Sequence, residues 1–191
     1  MLAMPAEPAY VPEMPALMTA EDLLRAPIPD KCTELVKGVL VVREPAGHRH
    51  GRVAGELFRV ISNHVHAHAL GAAYAAETGF TLARHPDTVR APDVAFVRQD
   101  RVPDPEPIGF GEFAPDLAVE VLSPGDRPGE TLAKVADWLE AGTPLVWVID
   151  PERRLARVYR RDGTEMTIDG EGQLGGEDIL PGFTCRLGAV L

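Results

Sequence analysis

Two apolar, β-prone runs each enclose a carboxylate, and this constrains the fold more than any other feature of the chain. Residues 90–97 read R-A-P-D-V-A-F-V, with Asp93 near the start; residues 116–122 read D-L-A-V-E-V-L, with Glu120 in the middle. An unpaired carboxylate buried among such neighbours costs several kcal/mol, so it requires a cationic partner or a metal. Strand alternation places Ala118, Glu120 and Leu122 on one face, and Leu117, Val119 and Val121 on the other. If the two strands are neighbours, Asp93 and Glu120 converge on one cation. Hard oxygen donors suit Mg²⁺ or Mn²⁺ rather than zinc. Such an ion polarises a phosphoryl oxygen and supplies hydroxide near neutral pH. The competing reading has Asp93 opening a turn after Pro92 and Glu120 paired with a core arginine.

The remaining pattern supplies the elements around this pair. Residues 1–18 hold four prolines and no sustained periodicity, which predicts a flexible N-terminal arm before a single domain over residues 19–191. Thr19 caps a short helix over Ala20–Arg25, ended by Pro27. Residues 34–42 read as a hairpin hinged at Lys37-Gly38. Val53, Leu57, Val60, Ile61, Val65 and Leu70 recur at helical spacing over residues 50–70, with Gly71 as the stop. The period then changes to two, giving strands over 72–83, 89–97 and 116–122.

Pro128 opens a second helix that runs to residue 141 before Gly142. Its apolar arc of Leu132, Val135, Ala136, Trp138 and Leu139 leaves Lys134 on the border, where a long stem can carry the ammonium to a nearby site. Residues 145–149 (L-V-W-V-I) form a strand buried on both faces, and 155–159 an alternating, edge-like strand. Short strands near 166–168 and 183–187 close the chain. These elements predict one α/β (α+β) domain with a mixed central sheet flanked by helices.

Composition narrows the function. The 191 residues carry 19 Lys+Arg against 29 Asp+Glu, a formal charge of −10 that argues against non-specific coating of nucleic acid but permits a local basic groove. No apolar run reaches the ~20 residues of a membrane span, and no basic-then-apolar leader is visible. Cys32 and Cys185 are too few for a disulfide framework and read as reduced thiols in a cytoplasmic protein. His64 and His68 lie four apart on the first helix but lack a third ligand at metal spacing, and no phosphate-binding glycine loop or G-x-S-x-G turn is present. Arg153, Arg154, Arg157, Arg160 and Arg161 surround Tyr159 either as a phosphate-contacting strip or as ordinary edge-strand charge.

The ordered motifs resemble the Uma-two family of restriction-endonuclease-like proteins. They are Glu34-Leu35-Val36-Lys37-Gly38, His50 heading the first helix, Ala91-Pro92-Asp93-Val94-Ala95-Phe96-Val97, Val119-Glu120-Val121-Leu122-Ser123-Pro124, Lys134, Val146-Trp147-Val148-Ile149-Asp150-Pro151 and Leu180-Pro181-Gly182-Phe183. The resemblance, spanning about 19–187, implies a PD-(D/E)XK-like fold and a metal-dependent endonuclease. It makes Asp93 and Glu120 the ligands of Mg²⁺ or Mn²⁺. The usual lysine position, two residues after Glu120, is Leu122, and the resemblance assigns its role to Lys134 in the second helix. Glu34 and His50 follow as a second tier, the one as outer partner or further ligand, the other as donor to a phosphate or orienter of a water. Glu77 is a lower-ranked acid. The implied partners are nucleic acid, DNA foremost, and a second copy in a homodimer. The alternative is a catalytically weak or inactive module of the same fold that binds nucleic acid or a protein.

Overall fold

The computed structural model describes residues 17–191, so most of the expected N-terminal arm lies outside the described residues. Helix α1 (Ala20–Arg25) begins as its sequence requires. Thr19 accepts from the Asp22 backbone N–H, and the Asp22 side chain accepts in return from the Thr19 N–H. Strands β1 (Cys32–Val36) and β2 (Val39–Arg43) form the expected hairpin. Their two-residue connection, Lys37-Gly38, has φ of 50° and 78°. Two consecutive left-handed residues match the twist of a tight antiparallel pair.

Helix α2 (His48–His68) ends two residues earlier than the periodicity suggests, because Ala69 rather than Gly71 takes the left-handed terminating conformation (φ 49°). Gly71 instead opens β3 (Gly71–Ala75), pressed so close to the neighbouring strand that an added Cβ would lie 2.0 Å from the Val97 carbonyl oxygen. The strand expected over 72–83 is two strands: β3, then β4 (Phe80–Ala83), separated by a turn in which Glu77 has φ 70°. The strand expected over 89–97 is likewise divided into β5 (Thr88–Arg90) and β6 (Val94–Arg98). Pro92 lies in the break, where it has no N–H to give to a ladder. Both divisions have one cause: the chain changes sheets at these points. Strands β2-β1-β5-β4 form a small antiparallel sheet, whereas β3 and β6 join a six-stranded one.

The large sheet has the order β10-β9-β8-β7-β6-β3, with β7 (Leu117–Val121), β8 (Leu145–Asp150), β9 (Leu155–Arg160) and β10 (Glu165–Asp169). Only β7 and β8 pair in parallel, linked through α3 (Pro128–Glu140), so the sheet is mixed. Strand β9 is interior, with the edge passing to β10, which corrects its reading as an edge strand. Strands β11 (Gln173–Gly175) and β12 (Thr184–Arg186) pair with each other. The sheet buries both faces. Leu117, Val119, Trp147 and Ile149 pack under α2, while Ala118, Val146 and Val148 pack under α3 through Val135 and Trp138. A third cluster, Ala20, Leu23, Leu35 and Val89, fixes α1 on the small sheet.

Asp87, between β4 and β5, ties that small sheet together. Its Oδ2 accepts from the Ala20 N–H (2.9 Å) and from Arg84 (2.7 Å), and its carbonyl accepts from the Gly38 N–H (2.7 Å). Burial raises the Asp87 pKa, but the Ala20 and His85 amides and Arg84 outweigh it and hold the carboxyl below its usual range. A depressed folded pKa means stability that is present above the unfolded value of ~3.9 and lost as pH falls through the folded one. Asp87→Asn is expected to cost about 1–3 kcal/mol at pH 7. In denaturant titrations the gap from wild type should shrink below pH ~4; a gap independent of pH would refute the charge-based account.

Candidate functional site

Three elements deliver side chains to the junction of the two sheets. Strand alternation turns Glu34 of β1 away from Leu35, which packs under α1, and toward the large sheet. Glu120 stands in the middle of β7 on the α3 face, beside Ala118. Helix α3 then faces Glu120 with its stripe of Lys134, Val135 and Trp138. Leu132 is 52% exposed and Ala136 is exposed, so Lys134 is no border residue: the helix is rolled toward it. The roll follows from Glu120, whose buried carboxylate needs donors more than the sheet needs Leu132.

Lys134 Nζ lies 2.8 Å from Glu120 Oε2 and 3.0 Å from Glu34 Oε1, and donates to the Ala91 carbonyl at 3.1 Å. The Trp138 indole N–H donates to Glu120 Oε1 at 2.8 Å, so each oxygen of that carboxylate has one donor. Arg90, at the end of β5, donates to Glu34 Oε2 (2.9 Å) and through Nε to Asp137 Oδ2 (2.9 Å). Asp93 lies in the bend immediately before β6, which neighbours β7 as the convergence of the two carboxylates requires. Its Oδ2 accepts from the Val121 N–H (2.7 Å) and lies 3.2 Å from His50 Nε2, in the first turn of α2.

The charges are shifted accordingly. Burial pushes the Glu120 carboxyl up; Asp93 and Glu34 add to the push and Lys134 opposes it. Burial acts on Glu34 in the same direction, but Lys134 and Arg90 prevail and hold it below its usual range. Lys134 is kept cationic against its own burial by Glu120 and Glu34. The hydrogen bond that His50 donates to the Asp93 carboxylate raises the His50 pKa, partly offset by burial.

Asp93, Glu120, Lys134, Glu34 and His50 thus line one cleft of about 1220 Å³ between the two sheets. The chemistry of the donors fits a hard divalent cation. Three carboxylates (Glu34, Glu120, Asp137) pair with two cations, Arg90 and Lys134, while Asp93 stands beside His50. Cys32, the sulfur in the cleft, has its thiol pushed up by burial and by Glu77. Among the described residues no group of three or more His, Cys, Asp or Glu side chains is placed to hold a metal ion, so an ion held by Asp93 and Glu120 would need water or substrate oxygens to complete its shell.

The other candidates fall elsewhere. Glu77 lies on the β3–β4 turn rather than on a strand, at the cleft wall 3.8 Å from Cys32 Sγ. His64 Nε2 is 2.9 Å from the Pro181 carbonyl, and His68 Nδ1 is 2.9 Å from the His64 carbonyl. Arg160 is occupied by Glu177. Sequence reasoning missed Arg90, Asp137 and the Trp138 indole. The signal for the helix pair was available: Lys134, Asp137 and Trp138 share one face by their i, i+3, i+4 spacing.

Residues 20–188 match the Uma2 family, whose description reads "Putative restriction endonuclease". The fold is similar to that of a crystal structure from Anabaena variabilis titled a "putative nuclease belonging to DUF820". The TM-score is 0.79 at 21% identity, over 91% of this chain and 97% of that one. No curated protein matches significantly.

Arg90 holds two carboxylates at once with almost no exposure; removing it takes the cation from Asp137 and leaves Glu34 only Lys134 and the Ala91 N–H. Arg90→Met is expected to lower stability by about 3–5 kcal/mol, the range for breaking a buried pair from one side, as read by urea denaturation. A loss under 1 kcal/mol would mean that water already shares this network.

Proposed function

Because the chain belongs to the Uma2 family of "putative restriction endonucleases", we propose that it is a metal-dependent endonuclease that hydrolyses phosphodiester bonds in nucleic acid. One observation carries this reading: Asp93 and Glu120 open onto the same cleft, with the buried Lys134 ammonium 2.8 Å from Glu120. Asp93 and Glu120 would hold Mg²⁺ or Mn²⁺. What such an ion supplies is polarisation of a phosphoryl oxygen and a water acidic enough to attack near neutral pH.

The chain's own groups do the rest. Trp138 and Lys134 fix Glu120 from both oxygens, so the carboxylate is preorganised rather than mobile. Lys134, its three donors directed at Glu120, Glu34 and the Ala91 carbonyl, would act through its charge on a phosphate held beside Glu120. Glu34 holds Lys134 in place and keeps it protonated. His50, held by Asp93 in the first turn of α2, stands where it can donate to a phosphate oxygen. Two features favour an inactive binding module instead, Leu122 at the usual lysine position and the net charge of −10. The ammonium that α3 brings to Glu120 answers the first.

The test is cleavage of supercoiled plasmid and of single-stranded DNA and RNA with Mn²⁺, Mg²⁺ or EDTA. Wild type should cut only with metal. Asp93→Asn and Glu120→Gln should abolish cutting and weaken Mn²⁺ binding in calorimetry, and Lys134→Met should lower the rate about 10²–10³-fold while Mn²⁺ still binds. Cleavage that persists in EDTA, or Mn²⁺ affinity unchanged in Asp93→Asn, would sink the assignment.

A further inference from the structure

The cleft is acidic: eight carboxylate side chains line it against three from Lys and Arg. A substrate of the class proposed above brings phosphates into that field, and therefore needs a cation with donors still free. Lys31 is closed off by Glu44. Lys134 directs its ammonium at Glu120, Glu34 and the Ala91 carbonyl. Arg43 differs from both.

Arg43 ends β2, in register with Cys32, so it shares the face of β1 that carries Glu34. Its contacts are long. Nη1 reaches Asp126 Oδ1 at 3.4 Å across the cleft, and Nε lies 4.0 Å from Glu34 Oε2. That Nε is shielded from solvent and has no hydrogen-bond partner. Nη2 donates to nothing among the described residues. A shielded guanidinium donor without an acceptor is uncommon in a folded protein and signals a missing partner. Its Nη1–Nη2 edge, with Nη2 unpaired, is the fork that can take a phosphate bidentately, which a lysine cannot do. Asp126 is itself held in its loop by the Ser123 N–H at 2.7 Å, so its long contact leaves Arg43 tethered without saturating it.

We propose that Arg43 is the cleft residue that takes a backbone phosphate of the substrate and sets it beside Asp93 and Glu120. This rests on the nuclease reading and deepens it. The position also crosses the cleft between the small sheet and the β7–α3 loop, so a purely structural role must be separated from phosphate binding.

The experiment measures binding of a fluorescein-labelled duplex and a single strand with Ca²⁺ over a range of NaCl, beside plasmid cleavage in Mn²⁺. The proteins are wild type, Arg43→Ala, Arg43→Lys and Asp126→Asn. Losing one phosphate contact should weaken binding roughly ten- to hundredfold for Arg43→Ala and lower the slope of log K against log salt by about 1. Arg43→Lys should restore the slope but only part of the affinity, since it keeps the charge and loses the fork. Asp126→Asn removes the charge from the same tie while sparing the cation, and should bind as tightly as wild type or more so. If wild type binds and cuts while Arg43→Ala matches it in affinity and slope, this inference falls and the nuclease reading stands. Equal losses in Asp126→Asn and Arg43→Ala would make the contact structural and overturn it too. If wild type neither binds nor cuts, the nuclease reading fails and this proposal with it.

Discussion

A lysine ammonium shared by two buried carboxylates is the interaction on which the site depends. Lys134 meets Glu120 of the large sheet at 2.8 Å and Glu34 of the small sheet at 3.0 Å. It therefore joins three elements that no backbone ladder connects. The same cluster grips the chain where it crosses between sheets. Ala91 gives its N–H to Glu34 at 3.0 Å, and its carbonyl accepts from Lys134 at 3.1 Å. Asp93 lies two residues further on. The side chains that surround the candidate metal ligands thus also set where one of those ligands stands.

Such a cluster is a poor way to gain stability. Buried ion pairs barely recover their desolvation, and an apolar replacement is often as stable. Here the imbalance is greater still, because the carboxylates outnumber the cations and burial pushes Glu120 up. A fold selected for stability alone has no need of this arrangement. Under the proposed function it has a use: the shielded geometry would hold Asp93 and Glu120 ready for a divalent ion.

Local elements were largely legible. The Thr19 cap, the Lys37-Gly38 hairpin, the 3.6-residue stripe of α2 and the apolar β7 and β8 runs are signals carried within a few residues. What misled was continuity. Residues 72–83 and 89–97 each read as one strand because alternation does not register a change of sheet; only the turn at Glu77 and the break at Pro92 mark it. Residues 155–159 alternate as an edge strand does, yet β10 covers β9, a pairing between strands that the alternation cannot reveal.

The amino-acid sequence by itself determined that Asp93 and Glu120 would be costly in their own strands, that their types suit a hard cation, and that a lysine stood on a nearby helix. Those are properties of residue chemistry and short-range period, which survive in a linear string. The tertiary structure decided who compensates whom. It rolled α3 so that Lys134 and Trp138 meet Glu120. It brought Arg90 between Glu34 and Asp137, 56 and 47 residues away. It also set Arg43 across the cleft from Asp126 with a donor unfilled. Pairing of buried charges depends on distance and shielding in space, and neither is encoded at any single position along the chain.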